Sequence, residues 1–133
     1  MRVSVIGLGL IGGSLAMQLR KSGFATSIVG VENNSEHAKI ALEKGLVDEV
    51  LCLEEAVHNA DIVIIAVAAD ITIQLLPKVL NLVENQVVID VCSIKRLVCD
   101  AVATHPKREN YVSTHPMAGT ENSGPEAAIE GLF

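Results

Sequence analysis

The stretch Val3-Ser4-Val5-Ile6-Gly7-Leu8-Gly9-Leu10-Ile11-Gly12 decides how the chain is read. A short apolar run ends at a glycine, two more glycines follow at spacings of two and three, and a helical pattern then begins over residues 11–22. Strand, tight turn and helix start in that order make the GxGxxG arrangement of a Rossmann βαβ unit. Gly7 lets the chain turn off the strand, Gly9 leaves room for a pyrophosphate, and Gly12 lets the helix lie against the strand. An anion then meets the free N–H groups of Leu10, Ile11 and their neighbours at the positive end of the helix dipole.

The second strand, residues 27–32, ends on Glu32, where an acidic ligand for the adenosine ribose hydroxyls is expected. A carboxylate there repels a 2′-phosphate, and the next residues are Asn33 and Asn34 rather than Arg, so the expected cofactor is NAD and not NADP.

Working outward, strands and helices keep alternating. Ser35 is a candidate N-cap for a helix over 36–44, stopped by Gly45. A strand over 47–51, a helix over 53–59 and the most apolar strand, 62–67, come next. A helix over 72–82 contains Pro77, which should kink or interrupt it. Strands over 87–90 and 111–114 flank a helix over 95–103, and the Gly- and Pro-rich tail contains a short helical piece near 126–130. Buried strands that read as continuous apolar runs, separated by helices, predict an α/β fold: one doubly wound parallel sheet over residues 1–133.

Composition excludes several classes. Half of the residues are hydrophobic, 2% are aromatic and the net charge is -6, with no Lys/Arg run longer than two. Neither the basic footprint nor the stacking platforms of a nucleic-acid binder are present. The three cysteines, Cys52, Cys92 and Cys99, lack the spacing of a disulfide framework or a zinc site, so no metal is expected and Cys92 reads as buried filler. The N-terminus enters a strand directly and the longest apolar run is far short of a membrane span, which makes a cytoplasmic location the expectation. His37, His58 and His105 fall on helices or turns and receive no role.

Chemistry in such a fold sits in loops after the strands. Two loops carry unusual polar groups: Asp90-Val91-Cys92-Ser93-Ile94-Lys95 after the fifth strand, and Ser113-Thr114-His115-Pro116-Met117-Ala118-Gly119-Thr120-Glu121 after the sixth. Both would face the nicotinamide half of a dinucleotide, where a neutral His can take a proton. On its own, His115-Pro116 also reads as a rigid turn, Ser93 as an N-cap for a helix starting at Ile94, and Lys95 as a solvated first-turn lysine.

With GLGLIGGSLA at 7–16, D-x-x-S-x-K at 90–95 and HPMAGTENSG at 115–124, the chain resembles the nucleotide-binding domain of the prephenate/arogenate dehydrogenase (TyrA) family. The resemblance runs the whole length and rests mainly on the last two motifs. It implies NAD-dependent oxidative decarboxylation of prephenate or arogenate, with His115 accepting the C4 hydroxyl's proton, Ser93 orienting His115 or that hydroxyl, and Glu121 gating or binding at the mouth of the site. It further implies a second, all-helical domain that forms a homodimer and supplies basic groups, and an exposed apolar patch where that domain docks. Two other readings keep the glycine turn: a β-hydroxyacid-type NAD dehydrogenase and a non-catalytic NAD-sensing module. The HPMAG segment speaks against the first, and Ser93 with His115 on adjacent strand ends against the second.

Overall fold

Strand β1 (Arg2–Ile6) buries four of its five residues and is paired in parallel on both sides, with β2 (Ser27–Val31) and with β4 (Ile62–Ile65). A computed structural model describes residues 1–133. It completes a single parallel sheet with β3 (Glu49–Val50), β5 (Val87–Asp90) and β6 (Tyr111–Ser113), in the order β3-β2-β1-β4-β5-β6. This is the Rossmann order, and the direction of winding reverses between β1 and β4, which opens a crevice at the carboxyl ends of those strands.

Helices cover both faces. Under α1 (Leu10–Lys21) and α2 (Ser35–Glu43) lies a core of Val3, Val5, Leu8, Ile28, Leu46 and Ile64; under α3 (Leu53–His58), α4 (Ala69–Leu82) and α5 (Lys95–Asp100) lies a second, with Ile6, Val63, Ile65, Leu76, Leu80 and Val88. No helix is long and apolar enough to cross a membrane.

Several local expectations are corrected. Pro77 does not interrupt its helix: α4 runs unbroken from Ala69 to Leu82. A mid-helix proline costs about 3 kcal/mol. Leu76, Val79 and Leu80 are fully buried around it, and each such side chain contributes roughly 1.5–3 kcal/mol, so packing wins. The N-cap of α2 is Asn34, not Ser35: its Oδ1 accepts the N–H groups of Glu36 and His37 at 2.9 and 3.1 Å. Helix α5 starts at Lys95 with Ile94 as its N-cap, so Ser93 caps nothing, and the expected tail helix is a 3₁₀ turn, Pro125–Ala127.

That 3₁₀ turn returns the tail to the first βαβ unit. Lys44 Nζ donates to the Glu126 carbonyl at 2.9 Å, the Ile129 N–H donates to Ser14 Oγ at 3.0 Å, and Ala128 fills the space a side chain on Gly13 would need. The segment 114–124, which carries the HPMAG motif, is thereby held at its far end against α1 and α2.

At the β1–α1 joint the backbone leaves no room for side chains. Gly7 has φ +93°, and a Cβ on it would lie 2.5 Å from the Ala66 carbonyl oxygen. A Cβ on Gly12 would lie 2.0 Å from the Gly7 carbonyl oxygen. Gly12→Ala must push α1 off the sheet and should cost about 2–4 kcal/mol, read as a lowered urea midpoint; an unchanged midpoint would show that the helix is free to shift.

Candidate functional site

At the start of α1 the backbone N–H groups of Gly9, Leu10, Ile11 and Gly12 have no acceptor in the protein, and Gly9 provides no capping side chain. A Cβ on Gly9 would meet nothing nearer than 3.9 Å, so the space above the turn is open. Unsatisfied donors, the helix dipole and an open approach together fit a pyrophosphate, and these residues are the ones that would hold it.

Glu32 follows β2 with both carboxylate oxygens engaged by backbone. Oε2 accepts the Leu8 N–H at 3.3 Å and Oε1 the Asn34 N–H at 3.0 Å. Each oxygen keeps a lone pair for a ribose hydroxyl. Beside it is a cavity of about 500 Å³ lined by Ile6, Val31, Leu53, Val67, Ile71 and Leu75 with Glu32, Asn33, Asn34 and His37. Its apolar walls suit a planar base, and no Lys or Arg lines it to receive a phosphate. His37, given no role from sequence, lies in this wall because the Asn34 cap turns the first helical residues toward the cavity.

The two motif-bearing loops leave the sheet side by side, since Asp90 and Ser113 are register partners. Asp90 is fully buried. Its carboxylate accepts the Tyr111 hydroxyl at 2.6 Å, the Cys92 N–H at 2.9 Å and the Thr114 N–H at 3.4 Å, and is ion-paired with Lys95. The Lys95 ammonium also donates to the carbonyl oxygens of Cys92, at 2.9 Å, and Thr114, at 2.5 Å. Thr114 Oγ1 completes the network by donating to the Asp90 carbonyl. Lys95 is therefore not a solvated lysine; a buried carboxylate demands a counter-charge and Lys95 is within reach.

Burial alone would push the Asp90 carboxyl up, but Lys95, Tyr111 and the Cys92 N–H favour the anion and hold it below its ordinary value. Burial and that carboxylate push the Tyr111 phenol up, so it remains a donor, and burial likewise raises the Cys92 thiol, which packs against the Thr72 hydroxyl at 3.3 Å.

The residues expected to do chemistry are exposed beside this network. Ser93 and His115 immediately follow Cys92 and Thr114, and neither side chain has a protein hydrogen-bond partner; of the two expected partners of Ser93, His115 or the substrate hydroxyl, the bond to His115 is not made here. Downstream of His115, Ala118, Gly119, Thr120, Asn122, Ser123 and Gly124 form one wall of a groove of about 370 Å³ whose other wall is Gly9, Leu10 and Ile11. His115 precedes that wall by three residues and, like Ser93, is not among the residues lining the groove. Glu121 points away, into a shallow surface depression with Asn122, Ser123 and Glu126. No cluster of His, Cys, Asp or Glu side chains could hold a metal.

The network around Asp90 was not read from sequence, although a signal existed: period-two alternation puts Asp90 on the same face as the buried Val88. A carboxyl whose value is lowered by folding adds stability that is present above its unfolded value of about 3.9 and lost as pH falls through the folded one. Asp90→Asn should therefore lose about 3 kcal/mol at neutral pH. Urea unfolding across pH should show its gap to the parent protein closing below about pH 4; a gap independent of pH would contradict the ionised, paired carboxylate.

Comparison with known proteins places this architecture. A profile described as the prephenate dehydrogenase nucleotide-binding domain matches residues 15–133. Prephenate dehydrogenase of Bacillus subtilis (strain 168) is 37% identical over 135 residues, covering 98% of this chain and 36% of that enzyme. The crystal structure of prephenate dehydrogenase from Aquifex aeolicus matches with a TM-score of 0.87 at 32% identity, over 98% of this chain and 48% of that one. A second structure of that enzyme, in complex with hydroxyphenyl propionate and NAD+, gives 0.82 at 31% identity over 100% and 47%. Synechocystis arogenate dehydrogenase gives 0.83 at 31% identity, again over 100% and 47%. The chain spans less than half the length of these relatives. With the profile covering most of its residues, this Rossmann-fold chain belongs to the family of prephenate dehydrogenase nucleotide-binding domains.

Proposed function

We propose that this chain is the NAD-binding domain of a dehydrogenase that oxidatively decarboxylates prephenate or arogenate. The observation that carries the reading is the groove: the glycine turn, whose N–H groups are free, faces the segment 118–124 that follows His115 in the chain. A dinucleotide lying from the Glu32 cavity across the turn would bring its reactive end to that loop.

Bound NAD+ supplies the two-electron acceptor for the C4–H of the cyclohexadienol. The protein's own residues supply the rest. The N–H groups of Gly9 to Gly12 hold the pyrophosphate and Glu32 takes the ribose hydroxyls. Neutral His115 accepts the C4 hydroxyl proton as the carbonyl forms, which prevents positive charge from building on that oxygen and contributes about 10²–10⁴ in rate. Loss of the C1 carboxylate as CO2 then aromatises the ring. Ser93 orients His115 or the hydroxyl once substrate is bound, since catalytic hydrogen bonds tighten in the complex. Glu121, on the outer side of the loop, keeps the gating or binding role that the motif implies at the mouth of the site, where the second domain would close over it.

The substrate is anionic, yet no Lys or Arg lines the groove. Basic side chains from a second, helical domain would meet its carboxylates, and positioning by them accounts for much of the barrier reduction. Ile94, Leu97 and Met117, at 51%, 56% and 89% exposure around the two loops, offer that domain an apolar seat. The same domain would join two copies as a homodimer.

Reduction of NAD+ by the intact gene product, followed by absorbance with prephenate and arogenate offered separately, tests the reading. Turnover of either supports it; NAD+ binding with no turnover of both overturns it. His115→Asn should leave NAD+ affinity unchanged and lower kcat about 10²–10⁴-fold. Glu32→Ala should weaken NAD+ binding by about 10–100-fold, the loss of charge-assisted hydrogen bonds, and narrow the preference over NADP+.

A further inference from the structure

The chemistry proposed above makes no use of Lys95, yet this side chain lies directly behind both residues that it does use. The Nζ has three protons and three acceptors: the Asp90 carboxylate, the Cys92 carbonyl and the Thr114 carbonyl. The two carbonyls belong to the residues immediately before Ser93 and His115. A peptide unit is planar, so the carbonyl of one residue shares a plane with the nitrogen and Cα of the next. Holding the Cys92 and Thr114 oxygens therefore orients the planes from which Ser93 and His115 project.

Nothing else in the sheet does this. The β5–β6 ladder ends at the Asp90–Ser113 pair, and β6 is a three-residue edge strand. Beyond that point the two loops are joined through the Thr114 hydroxyl on the Asp90 carbonyl, the buried Asp90 carboxylate with its bonds to Tyr111 and the Thr114 N–H, and the Lys95 ammonium seated on that carboxylate. With all three protons committed, Lys95 has no donor left for a substrate carboxylate.

We propose that Lys95, seated on Asp90, is a positioning residue that sets the spacing of Ser93 and His115 by gripping the peptide units behind both. The purpose of that spacing rests on the dehydrogenase reading; the grip itself does not. An arginine is a poor replacement: its guanidinium satisfies the charge of Asp90, but a planar fork cannot point at a carboxylate and two carbonyls converging on one atom.

Two measurements separate the grip from its purpose. In this chain, amide hydrogen exchange at Cys92 and Thr114, whose N–H groups bond Asp90, should accelerate at least about tenfold in Lys95→Met while Val5 and Ile64 in the central strands keep their protection. Unchanged exchange overturns the grip, whatever the enzyme does. In the intact gene product, Lys95→Met should lower kcat about 100-fold, the cost of a misplacement near 1 Å, with the KM for NAD+ unchanged and a larger isotope effect from substrate deuterated at C4. Lys95→Arg should recover thermal stability without recovering kcat. Recovery of both together would reduce Lys95 to a counter-charge and overturn positioning, as would parent-like kcat in Lys95→Met. If Lys95→Met does not fold, the double variant Lys95→Met, Asp90→Asn, which removes both charges, replaces it in the kinetic arm with the same outcomes. Absence of turnover in the parent enzyme would instead overturn the dehydrogenase reading and leave the exchange result to decide the grip.

Discussion

Helix α1 lies so close to β1 that a Cβ on Gly12 would stand 2.0 Å from the carbonyl oxygen of Gly7. That approach governs much of the molecule. It aims the first turn of α1 at the carboxyl edge of the sheet, leaves the Gly9 to Gly12 N–H groups without acceptors, and puts the Leu8 N–H within reach of Glu32. The free donors of the turn and the placing of Glu32, to which we assign the pyrophosphate and the ribose, are thus two consequences of one steric allowance. Fully buried Leu8, between them, commits the turn to the core by filling the space beside Gly30, where a Cβ would meet its side chain at 2.7 Å.

The opposite side of the groove is organised by charge rather than by the absence of side chains. A carboxylate at the end of a buried strand is costly unless every lone pair is used and a cation is near. Asp90 meets that demand by recruiting groups from both neighbouring segments: Cys92 from its own loop and Lys95 from the start of α5, Tyr111 from β6 and Thr114 from the loop after it. Desolvation, which opposes the anion, is what compels the loops to converge. The tail then holds the free end of the second loop, with Ser14 and Lys44 bonding its backbone and Ala128 lying against Gly13.

Legibility from sequence divided along the same physical line. The parallel sheet, its helices on both faces and the glycine turn were readable because they depend on periodicity and on the sizes of Gly7, Gly9 and Gly12, which are local. Failures came where a tertiary partner decided the outcome. Pro77 carries a local signal for a kink or a break, and the break is overridden by burial of Leu76, Val79 and Leu80. Ser35 and Asn34 are both good caps, and only the chain's exit from β2 selected Asn34. Lys95 is five residues from Asp90 and nineteen from Thr114, so its ion pair and its carbonyl contacts are invisible to any local pattern. Exposure of His115, Ser93 and Glu121 agrees with site roles but does not itself assign them.

On this account the glycine turn and the loop after His115 are two walls of a single cofactor groove. Amide chemical shifts recorded while NAD+ is added to the protein test it most directly. Saturable shifts of Gly9, Leu10, Ile11 and Gly12, together with Ala118 to Gly124 and with one common dissociation constant, are what the groove predicts. Shifts confined to the glycine turn, with the 118–124 loop silent, would contradict a shared groove and separate His115 from the cofactor.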